Sequence, residues 1–115
     1  MMLAGKEDGP GAVVNVVDAK AIGMPRGQSP YLDTKIGLLE YTKKAAGLFA
    51  ATLRVNAVAP GPVLVPVGTH EKAGDMLLDR RPTAEDVAEA VAFLLEAQAT
   101  TGVVLPVDAG QHLVR

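Results

Sequence analysis

Apolar positions along the chain fall into two kinds of run. Residues 12–17 (AVVNVV), 53–60 (LRVNAVAP) and 102–108 (GVVLPVD) are short, rich in valine and nearly continuous. That is the pattern of strands covered on both faces. Residues 30–50 and 84–97 repeat at helical spacing instead. Leu32, Ile36, Leu39, Ala46 and Phe49 form the first stripe, and Val87, Val91, Leu94 and Leu95 the second. Ser29 followed by Pro30 marks the start of the first helix. Thr83 with Asp86 predicts a capping box at the start of the second, with Asp in place of the usual Glu.

Between these elements the pattern breaks. Residues 1–4 read as the end of a helix that stops at Gly5, and residues 5–11 as a charged Gly/Pro turn. Residues 19–28 lack any period and read as a loop. Residues 61–82 form a long connection of the kind used for lids and binding loops. Pro106 is awkward in a central strand and places residues 102–108 at a sheet edge. The order β-α-β-α-β with helix-length crossovers predicts an α/β fold with a parallel sheet, in one domain over residues 1–115.

Composition narrows the picture further. The chain has 115 residues, a net charge of −2 and 49% hydrophobic residues, of which few are aromatic. Charges of both signs are interspersed, which argues against a nucleic-acid or membrane-binding face. There is no cysteine, which excludes disulfides and thiolate metal sites, and no metal-ligand spacing stands out. No apolar run reaches membrane-spanning length, and "MMLAGKEDG" lacks the apolar core of a signal peptide. The expectation is a cytoplasmic protein.

Candidate chemistry lies around the first helix. Tyr31 and Lys35 are four apart and share a helix face. An ammonium beside a phenol favours the phenolate and tunes the tyrosine for proton transfer. Asp18 sits at the C-terminal end of the strand at 12–17, the end where ligands bind in open parallel sheets. Asp18, Tyr31 and Lys35 therefore have one pocket within reach. Each residue also has an ordinary reading: an exposed helix face for the pair, an Asx turn for Asp18.

The stretches "GAVVNVV", "YLDTKIGLLEYTK", "LRVNAVAPGPV", "RPTAEDVAEAVAFLL" and "TTGVVLPVDAG" together resemble the C-terminal half of the short-chain dehydrogenases/reductases, from about residue 11 onward. The resemblance implies the C-terminal part of a Rossmann-type doubly wound parallel sheet, with the N-terminal nucleotide-binding half absent from this sequence. A dinucleotide fingerprint is not found. Most of that family carries a serine thirteen residues before the tyrosine, and here the residue is Asp18. In that respect the chain looks like the pteridine reductase branch, which reduces pterins and folates with NADPH.

By the same resemblance Tyr31 is the proton donor, and Lys35 lowers its pKa and holds the nicotinamide ribose. Pro60, Gly61, Pro62 and Val63 border the nicotinamide, and Val17 touches the cofactor through its backbone. His70 falls in the 64–81 segment and Arg115 at the place where a neighbouring subunit's chain end approaches the pocket. Both have plainer readings, as a solvent-facing loop residue and a frayed end. The family also implies a homo-oligomer. Two alternatives stay open: a carbonyl or enoyl reductase with an atypical acid, and a non-catalytic remnant that acts only in subunit assembly. Without a neighbouring strand the 12–17 edge is expected to lie open, making the chain prone to pair with another.

Overall fold

The structure, a computed structural model, describes residues 2–6, 9–63 and 76–114. Two segments named above, 64–75 with His70 and the terminal Arg115, lie outside them. The elements run β1 (Met2–Lys6), β2 (Gly9–Val16), a 3-10 turn (Ala19–Ala21), α1 (Pro30–Leu48), β3 (Leu53–Pro60), α2 (Ala84–Glu96), β4 (Val104–Val107) and a second 3-10 turn (Gln111–Leu113). The sheet order is β1-β2-β3-β4. Strands β2, β3 and β4 are mutually parallel, with Val13 opposite Val55 and Val58 opposite Leu105. The expected β-α-β-α-β core is present, and Pro106 lies in an edge strand as its chemistry requires.

Side chains alternate across the sheet, and each helix takes one face. Val13 and Val55 pack with Ala45 and Ala46 of α1, while Val14 and Val58 pack with Val91 and Leu94 of α2. All six inner residues of β3 are buried. Two of them, Arg54 and Asn56, are polar and lie on the α2 face. Arg54 donates from Nη1 to the carbonyls of Leu94 (3.0 Å) and Ala97, and from Nη2 to Leu95 (2.8 Å). A guanidinium thus occupies the negative end of the α2 dipole and satisfies carbonyls that a helix end leaves unpaired. Asn56 accepts from the Val103 amide (2.9 Å) and donates to the Thr100 carbonyl (2.9 Å), stapling the α2–β4 connection to β3. On the α1 face, Asn15 donates to Thr42 Oγ1 (3.0 Å).

Both helices start where the sequence signals. Ser29 Oγ accepts from the Leu32 amide at 3.0 Å. Thr83 and Asp86 form the reciprocal capping box. The Arg80 guanidinium and then the Thr83 amide hold the Asp86 carboxyl down at about 2, against an ordinary 3.8. Because its folded value is depressed, this cap contributes fully above the ordinary value and is lost as pH falls through the lower one.

Four expectations are corrected. Residues 2–6 are not a helix end but β1, which pairs antiparallel with β2 from Met2–Val14 to Lys6–Gly9. The 12–17 edge is therefore not open: the row of unpaired backbone groups on β2 recruits the chain's own N-terminal residues. Residues 19–28 are not plain loop, because Asp18 caps a 3-10 turn at Ala19–Ala21. Phe49 leaves the buried stripe and is 41% exposed, since it is the C-cap of α1 and lies beyond the last turn that faces the sheet.

Arg54→Met preserves the stem of this buried side chain and removes the donor to those three carbonyls. It is expected to cost about 2–4 kcal/mol of unfolding free energy in a urea titration, with helix content lost from the α2 end first.

Candidate active site

Parallel strands deliver their C-terminal ends to one side of the sheet, and the candidate residues gather there. β2 ends at Val16, and Val17 continues the ladder by donating to the Val58 carbonyl at 2.9 Å. Its side chain is buried among Ala19, Ala57 and Ala59, so its amide is already committed. Asp18 follows. Its Oδ1 accepts from the Lys20 amide (2.9 Å), the Asx-type turn that its position suggests, and its Oδ2 faces α1.

The first turn of α1 completes the group. The Tyr31 hydroxyl donates to Asp18 Oδ2 at 3.0 Å. Lys35 Nζ lies 5.8 Å from the Tyr31 ring centroid, within cation–π range, and donates to the Val16 carbonyl at 3.4 Å. The three side chains that the sequence singles out thus meet in one cluster. Tyr31 is 60% exposed, so its hydroxyl is reachable by a ligand.

Its electrostatics run opposite to the sequence expectation. The Tyr31 pKa is raised above 10.0, by partial burial first, then by the hydrogen bond to Asp18 and that carboxylate's charge. The Lys35 ammonium sits over the ring and donates to a backbone carbonyl, and burial and Asp18 together set the direction of the shift. The phenol is held as a proton carrier.

Residues 60–63 lie half-buried at the end of β3. The Gly61 amide donates to the Val107 carbonyl (3.0 Å), and Arg81 Nη1 donates to the Pro62 carbonyl (2.8 Å). A Cβ on Gly61 would stand 2.7 Å from Asp108 Cβ, so the absent side chain here serves close approach to the β4 exit. Two clefts, of about 540 and about 300 Å³, flank β4, and Asp18, Tyr31 and Lys35 line neither.

Sequence reasoning missed Asp108 and His112. Asp108 is buried and accepts from both the amide and Nδ1 of His112. The signal was present: "LPVD" ends a parallel strand in an acid just as "NVVD" does. It also missed Arg54 and Asn56, whose polarity inside an apolar run was the clue.

A nicotinamide dinucleotide fits this arrangement in part. Tyr31, Lys35 and the 60–63 turn offer a phenol, an ammonium and backbone at the C-terminal ends of β2 and β3, groups that would hold a nicotinamide riboside end. The phosphates find no such place among the described residues. The N-termini of α1 and α2 are both closed by their own caps, Ser29 and the Thr83–Asp86 box.

A family model described as enoyl-(acyl carrier protein) reductase matches residues 1–112. The short-chain dehydrogenase/reductase homolog YusR of Bacillus subtilis is 33% identical over 114 residues, covering 94% of this chain and 88% of YusR. The rat 3-oxoacyl-[acyl-carrier-protein] reductase is 38% identical over 108 residues, covering 90% of this chain and 46% of that protein. The NADP complex of FolM alternative dihydrofolate reductase 1 from Brucella canis superimposes with a TM-score of 0.83 at 32% identity, over 96% of this chain and 45% of that one. The chain belongs to the short-chain dehydrogenase/reductase family, and its fold is the Rossmann-like α/β fold of those structures. It spans most of YusR but about half the length of the rat reductase and of FolM.

In a Tyr41→Phe background Tyr31 is the sole tyrosine. Phenolate absorbance should then titrate with a midpoint above the ordinary value of 10.0, and Asp18→Asn should bring that midpoint down. Because the folded value is raised, the stability tied to this proton is full below pH 10.0 and lost as pH rises through the folded midpoint. A midpoint below the ordinary value would contradict the arrangement.

Proposed function

We propose that this chain is the proton-donating, substrate-facing half of an NADPH-dependent short-chain reductase acting on a pterin- or folate-like heterocycle. The observation that carries the reading is the Tyr31–Asp18 hydrogen bond at 3.0 Å. The phenol already spends its proton on the carboxylate. A substrate frees that proton only by giving Asp18 another donor. It must therefore present an acceptor to Tyr31 beside an N–H for Asp18, and an amino-substituted ring nitrogen system does both. A simple ketone offers the acceptor alone and leaves Asp18 competing for the proton. The likeness to the NADP-bound FolM reductase supports this reading.

In the reaction so read, NADPH when bound supplies the hydride. Tyr31 Oη gives its proton to the ring nitrogen as the C=N bond becomes a C–N bond with hydrogen at carbon. Asp18 accepts the substrate N–H and fixes the ring's register. Lys35, 5.8 Å from the Tyr31 ring centroid, is the nearby cation that would stabilise the phenolate left behind, and solvent access to Tyr31 allows its reprotonation.

A ketoacyl substrate is the second reading, favoured by the 38% identity to the rat 3-oxoacyl-[acyl-carrier-protein] reductase. The two separate on one panel. With the native protein, NADPH oxidation should be supported by dihydrobiopterin or dihydrofolate and not by acetoacetyl thioesters. Tyr31→Phe should lower turnover by roughly 10²–10⁴-fold. Asp18→Ser should move preference toward the ketone. Retained turnover in Tyr31→Phe rejects the donor role. Absent NADPH binding in a fluorescence titration, with oligomers persisting in size exclusion, favours a purely assembling homo-oligomer.

A further inference from the structure

The turn after β4 is held more firmly than a strand exit requires. Asp108 is 3% exposed, and its oxygens accept three hydrogens: from the Gly110 amide at 3.0 Å, the His112 amide at 2.7 Å and His112 Nδ1 at 2.8 Å. A carboxylate oxygen only accepts, so Nδ1 carries the hydrogen. Between them the backbone passes through two left-handed residues, Ala109 (φ +54°) and Gly110 (φ +82°). Alanine tolerates that conformation only where its surroundings impose it.

Two distant stretches of chain rest on this turn. On one side, the Gly61 amide bonds the Val107 carbonyl at 3.0 Å and its α-carbon abuts Asp108. On the other, the Ala109 carbonyl accepts from the amides of Leu77 (2.9 Å) and Leu78 (3.0 Å). Gly110 is so close that a Cβ there would stand 2.8 Å from Leu77. The chain therefore leaves for residues 62–76 and returns from them at a single point.

We propose that His112 is a positioning residue: by donating to Asp108 it fixes the 108–112 turn, and through that turn the placement of Gly61 and of Leu77–Leu78. The link to the cofactor rests on the reading above, in which residues 60–63 border the nicotinamide. No contact of His112 with substrate or cofactor is implied.

Three variants test this in the intact chain. His112→Phe keeps a ring and lacks the donor. His112→Asn carries an amide N–H at the place of Nδ1, and His112→Gln carries it at the place of Nε2. Amide hydrogen exchange followed by NMR should rise on the order of tenfold at Gly61, Leu77 and Leu78 in His112→Phe, a loss in keeping with one buried hydrogen bond. Ala57 and Gly102, whose amides bond Val103 and Val55, should not change. His112→Asn should restore protection and His112→Gln should not; if His112→Phe fails to fold, His112→Gln carries the same comparison. Unchanged exchange at the three amides, an equal rise at Ala57 and Gly102, or failure of the Asn rescue overturns the proposal. NADPH fluorescence titration supplies a second arm, in which His112→Phe should weaken binding several-fold and His112→Asn restore it. If the unsubstituted chain binds no NADPH, the functional reading fails, and the exchange comparison still decides the role of His112.

Discussion

Hydrogen bonding between β2 and β3 runs in one parallel register, from Gly11–Leu53 to Val16–Val58, and that register decides where the acid goes. Because the strands are parallel and in step, β2 ends one residue before Val17 and two before Asp18, beside the end of β3. The crossover helix then returns its first turn to the same side. Tyr31 reaches Asp18 because Ser29 stops the loop at the right place, and Lys35 follows one turn later on the same face. A slip of one residue in the ladder would turn Val13 and Val14 to the wrong helices and carry Asp18 with them.

Polar groups inside the sheet protect that register. Arg54 and Asn56 are useful only if α2 ends, and the following connection passes, where their donors and acceptors wait. Apolar residues would pack there in several ways; a buried guanidinium facing the end of one helix accepts few. The site thus depends on contacts on the opposite face of the sheet from α1.

What the sequence reveals follows the range of the interaction. Both helix starts are legible because Ser29 and the Thr83–Asp86 box act within three residues. β3 is legible because it is buried throughout. The meeting of Asp18, Tyr31 and Lys35 is legible as a pattern of order and spacing. The identity of β1 is not: its residues become a strand only because β2 offers an edge, and local propensity says nothing of that. Nor is the direction of the Tyr31 shift, which is set by how far the folded chain buries the phenol and then by its hydrogen bond to Asp18. The Asp108–His112 pair is four residues apart, yet its meaning comes from Gly61 and Leu77, which are far away in the chain.

Pro106 has an effect beyond marking an edge. An imino acid in the outermost strand leaves the outer row of β4, only four residues long, without one of its donors. A fifth strand laid against it would find a gap in the middle of its shortest possible ladder. Growth of the sheet on that flank is discouraged by chemistry as well as by length.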